Sequence, residues 1–126
     1  MSIVSLDGAV VIAAAKNDKR RQQMYNVRKY IRYVKQRVCY AELSLIDITE
    51  DEYHFYKFIR DNICKYINEI SILPAYWFGK VSVTEYCTQM NIKSERTIFR
   101  KLKIEYERIV NRIFFLEKMG GNLWKQ

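Results

Sequence analysis

Six apolar residues, Met24, Val27, Ile31, Val34, Val38 and Ala41, recur at spacings of 3, 4, 3, 4 and 3. An α-helix brings residues three and four apart onto one face, so this spacing predicts a helix over 18–43 with a narrow apolar seam. A seam of that width calls for a long neighbouring helix, from the same chain or from a second copy. About two and a half heptads is short for a free-standing coiled coil, which makes packing within the chain the simpler expectation. Tyr25, Tyr30, Tyr33 and Tyr40 flank the seam and are expected to widen it.

The rest of the chain also reads as helix. Four Gly and one Pro in 126 residues leave too few turn formers for a β-sandwich or barrel. Thr49 and Glu52 form a T-x-x-E capping box, and Phe55, Tyr56, Ile59, Ile63, Tyr66, Ile67 and Ile70 continue an apolar face to about residue 70. Pro74 is expected to end that helix, and Tyr76-Trp77-Phe78-Gly79 reads as a short connection. Ser82 is a plausible cap for a short helix that stops at Asn91. Ser94 opens a further helix whose stripe is Ile98, Leu102, Tyr106, Ile109, Ile113 and Leu116, and Gly120-Gly121 is expected to end it. Only Ser44–Ile48 reads weakly as strand. The expected fold is all-α: a helical bundle with a C-terminal helix-turn-helix and a long last helix. Residues 1–75 would form the scaffold, with a surface for dimerisation, and 76–126 the helix-turn-helix and last helix, joined as one compact unit.

The net charge of +8 is unevenly placed. Residues 1–40 carry +7, residues 41–69 carry −4 and residues 70–126 carry +5. Clustered Lys and Arg suit a polyanion, because binding releases its condensed counterions. Cys39, Cys64 and Cys87 are odd in number and form no C-x-x-C, so neither a disulfide framework nor a zinc site is expected. His54 is the lone histidine, no Gly-rich phosphate loop is present, and Glu50, Asp51 and Glu52 are consecutive and so diverge around a helix. No enzyme, cofactor or metal is expected. The apolar run Gly8–Ala15 is too short to span a bilayer, and Asp7 precedes it where a signal peptide would be basic; the expected setting is cytoplasmic, without a membrane.

A short helix, a tight turn and a second helix opening Ser-Glu-Arg-Thr is the arrangement of a helix-turn-helix. Cys87 is small where the two helices would meet, and Met90, Ile92 and Ile98 would fill the core between them. Val83 to about Val110, with Ser94-Glu95-Arg96-Thr97-Ile98-Phe99-Arg100-Lys101-Leu102-Lys103, resembles the helix-turn-helix of sigma-factor region 4. More narrowly, it resembles the ArpU/RinA-type phage transcriptional regulators. The resemblance implies a sequence-specific regulator of phage or prophage genes that binds double-stranded promoter DNA with the helix beginning at Ser94 in the major groove. The DNA-facing residues would be Lys93, Ser94, Arg96, Thr97, Arg100, Lys101 and Lys103. The basic first helix offers Lys19, Arg20, Arg21, Arg28 and Arg32 as secondary phosphate contacts, and a homodimer would suit two half-sites. The alternative is a helical protein-interaction module, such as a phage-borne inhibitor or an RNA-polymerase adaptor. It would dock on a host protein through Tyr76, Trp77, Phe78 and the tail Leu123-Trp124 as exposed anchors.

Overall fold

A computed structural model describes residues 19–124, with side chains described for 19–121. Five helices follow in order: α1 Arg20–Glu42, α2 Glu50–Ile70, α3 Pro74–Trp77, α4 Val83–Gln89 and α5 Glu95–Trp124. No strand occurs among the described residues, and the fold is all-α. The Gly8–Ala15 run lies outside the described residues, as do the side chains of Leu123 and Trp124.

The seam of α1 is filled from within the chain. Met24, Val27, Ile31, Val34 and Val38 are buried against Ile59, Ile63 and Ile67 of α2 and the stripe of α5. A dimer therefore cannot use this seam without dismantling the core. Of the four flanking tyrosines only Tyr30 is buried; Tyr25, Tyr33 and Tyr40 stay exposed. The hydroxyl of Tyr30 donates to Glu117 Oε2 on α5. Burial pushes the Tyr30 phenol well up and also raises the Glu117 carboxyl, whose hydrogen bond from Tyr30 works the other way.

The helix ends are set by local chemistry. Thr49 Oγ1 accepts from the Glu52 amide at 3.1 Å while the Thr49 amide donates back to Glu52 Oε1, the reciprocal capping expected from the sequence. Three C-termini share one device. Beyond α1, α3 and α4, residues Ser44, Gly79 and Asn91 take φ of +59°, +75° and +55°. The next amides, of Leu45, Lys80 and Ile92, reach back to the carbonyls of Tyr40, Ala75 and Cys87. This left-handed Schellman closure satisfies carbonyls that a helix end leaves open. It also explains why Ser44–Ile48 is no strand: its first residue closes α1.

Three further expectations are corrected. Pro74 does not terminate α2, which ends at Ile70; it starts α3, where its missing amide costs nothing. Gly120-Gly121 does not end α5, which runs on to Trp124. A Cβ on Gly120 would lie 2.8 Å from Phe55 Cδ1, so this glycine lets α2 and α5 approach closely. Tyr76 and Trp77 are not exposed anchors: both are buried in the core, and Phe78 is half-buried.

Trp77 is held by Glu105, a carboxylate buried on α5 that no sequence pattern marks out. Its oxygens accept from the Trp77 indole at 2.9 Å, the Ser71 hydroxyl at 2.6 Å and the Ile72 amide at 2.8 Å. Three donors on one carboxylate tie the α2–α3 connection to the last helix, and they compensate its removal from water.

Candidate nucleic-acid interface

The helix-turn-helix forms from α4, the turn 90–94 and the start of α5. Ser82 caps α4: its hydroxyl accepts from the Glu85 amide at 3.0 Å, and its amide donates to Glu85 Oε1 at 2.9 Å. Those bonds, that from the Ser82 backbone first, hold the Glu85 carboxyl below its ordinary range. Cys87 is buried where α4 meets α5, and burial raises its thiol further from ionisation. The closure at Asn91 turns Ile92 back onto the core while Met90 points outward. Met90, expected in the core between the helices, is the residue just before the left-handed turn and is 59% exposed instead. Ile98 and the half-buried Ile92 do pack there. Thr84 Oγ1 donates to Glu95 Oε1, tying the start of α5 to α4, and Thr97 Oγ1 donates to Ser94 Oγ within the first turn of α5.

Lys93, Ser94, Arg96, Thr97, Arg100, Lys101 and Lys103 are all exposed. Their helical positions divide them. Arg96, Arg100 and Lys103 fall at i, i+4 and i+7 and share one stripe, whereas Thr97 and Lys101 each lie one residue on, about 100° around the axis. Among the described residues, no ion pair engages Arg96, Arg100, Lys101 or Lys103. The acids nearby have other partners: Glu95 accepts from Thr84, Glu107 faces Arg20 at 3.7 Å, and Glu105 is buried. The positive end of the α5 dipole adds to this field.

The secondary set is scattered. Lys19 is exposed immediately before α1. Arg20 pairs with Glu107 and stacks on Tyr106 at 5.1 Å from the ring centre. Arg28 donates through Nε to the Tyr76 carbonyl at 2.7 Å and lies over the Tyr76 ring. The Arg32 guanidinium sits against Gly79, 3.1 Å from where a Cβ would stand. Arg21 alone joins the α5 stripe: it stacks on Phe99 at 4.1 Å and, with Arg96, Arg100 and Lys103, lines a concavity of about 310 Å³. That union was not legible in the sequence, because nothing in either helix marks which distant residues it will face.

Elsewhere, His54 is exposed beside Glu50, at 3.5 Å. Among the described residues no group of three or more His, Cys, Asp or Glu side chains is placed to hold a metal ion. No described helix is long and apolar enough to cross a membrane. Comparison with family models, with curated proteins and with solved structures gives no match to the chain.

Proposed function

We propose that the protein is a sequence-specific DNA-binding transcriptional regulator of the sigma region-4-like helix-turn-helix class, with the start of α5 entering the major groove. The observation that carries this reading is the exposed, unneutralised row Arg96, Arg100 and Lys103 on a helix seated by α4 through a left-handed turn. A helix presented this way can put arginine against guanine edges while neighbouring cations meet phosphates. Thr97, Lys101, Lys93 and Ser94 border the same row. A phage or prophage origin of the ArpU/RinA type is the narrower form of the proposal and rests on the Ser94–Lys103 motif alone. The interaction-module reading is weakened, because the aromatic anchors Tyr76 and Trp77 that favoured it belong to the core.

The test is selection of duplexes from a randomised pool, followed by affinity of the winner for wild type and Arg96→Ala/Arg100→Ala. The expected result is an enriched motif and a loss of discrimination of ~1–3 kcal/mol for each good bidentate pair removed. No enrichment, with equal weak binding by both proteins, would overturn the reading.

A further inference from the structure

We infer that the concavity between α1 and α5 is a binding site for the DNA phosphate backbone, in which Arg21 of α1 acts beside Lys103 of α5. This rests on the DNA-binding reading and divides its cations into two tasks. The concavity brings together four cations, Arg21, Arg96, Arg100 and Lys103, around the ring of Phe99. Four like charges gathered at one spot repel each other, and among the described residues no carboxylate pairs with any of them. A bound anion removes that repulsion.

Phe99 gives the site its form. Its half-buried ring carries the Arg21 guanidinium at 4.1 Å, which places the charge over the ring while its N–H donors have no other acceptor among the described residues. Arg20, the preceding residue, shows the contrast: its charge is already paired with Glu107. The same Glu107 stands four residues beyond Lys103 on α5, and so closes the basic stripe on that side.

Arg96 and Arg100 stand nearer the start of α5, the end that the DNA-binding reading puts in the groove. Lys103 stands farther along the same stripe, toward the turn where Arg20 of α1 meets Glu107, and Arg21 of α1 lines the concavity with it; on this reading the pair meets the sugar–phosphate edge. A phosphate oxygen accepts hydrogen bonds and is identical for every base sequence. Arg21 and Lys103 should therefore contribute affinity and register without contributing discrimination.

The experiment measures full-length protein binding to the selected duplex and to a random duplex across a salt series, for wild type, Arg21→Ala, Arg21→Lys, Lys103→Ala and Arg100→Ala. Arg21→Ala and Lys103→Ala are expected to weaken both duplexes by one common factor, roughly three- to tenfold near 0.1 M salt. The slope of log affinity against log salt should fall by about 0.9 for each phosphate that a variant no longer neutralises. Arg21→Lys should recover most of the slope, and thermal unfolding of each variant checks that the fold is intact. Arg100→Ala should instead lower the ratio between the two duplexes. An unchanged salt slope in Arg21→Ala, or a loss confined to the selected duplex, overturns the site while leaving DNA binding in place. Wild type that binds neither duplex at low salt overturns the DNA reading itself, and the site with it.

Discussion

The two basic helices carry similar charge to different ends. Along α1, Arg28, Arg32 and Lys35 follow a helical stripe, and each meets the α3 segment: the Tyr76 ring and carbonyl, Gly79, and the Phe78 ring. Along the start of α5, Arg96, Arg100 and Lys103 follow a similar stripe with no such partners. A cation over an aromatic face has part of its field already answered but keeps its N–H donors, as Arg21 does over Phe99. One against a backbone carbonyl, as Arg28 is, spends a donor. Side chains free of that commitment keep their donors for a ligand. Charge density alone would rank the two helices together, and their surroundings separate them.

The comparison breaks most sharply through the support beneath the α3 segment. Replacing Glu105 by Ala leaves the Trp77 indole and the Ile72 amide without their acceptor, and should cost roughly 3 kcal/mol of stability in denaturant melts. DNA affinity per folded molecule should stay unchanged. Gly120→Val comes next: its added carbons meet the Phe55 ring, and a loss of about 1–3 kcal/mol is expected from overpacking. A wild-type melting curve for this variant would show that α2 and α5 part without strain.

Arg28→Ala against Arg100→Ala tests the division of labour directly. The first should lose about 1–2 kcal/mol of stability, since it removes a charged donor from the Tyr76 carbonyl, and should keep the salt slope of DNA binding. The second should melt like wild type and bind DNA poorly. If the two variants exchange these outcomes, the contrast between the helices is wrong.

The smallest expected effect is one of pH. Burial raises the Glu117 carboxyl, so the folded state holds its proton more tightly than the unfolded chain does. Stability from this group is complete below the ordinary glutamate range and declines as pH rises through that range to the raised folded value. Glu117→Gln, which still offers Tyr30 an acceptor, should flatten this part of the melting-temperature profile between acid and neutral pH.

Much of the fold was legible because its signals are local. Heptad spacing places α1, and the Thr49–Glu52 and Ser82–Glu85 boxes start α2 and α4 with partners only three residues apart. The left-handed turn at Asn91 was readable from a residue that tolerates it, whereas Ser44, which makes the same turn, carries no such mark. The exposed residues within α5, Arg96, Thr97, Arg100, Lys101 and Lys103, were also legible, because helical spacing tells which positions avoid the apolar stripe.

What required the tertiary structure was every pairing between distant segments. A glycine pair reads as a helix end until Phe55 of another helix needs the space beside Gly120. An aromatic triplet reads as an exposed anchor until Glu105 supplies the acceptor that lets Trp77 enter the core. Capping and periodicity depend on neighbours a turn away, and so the sequence by itself determined the four longer helices, though not where α5 ends, and the charged face of α5. Which cations are neutralised, and which face Arg21 across the concavity, depends on how those helices pack, and only the tertiary structure decided that.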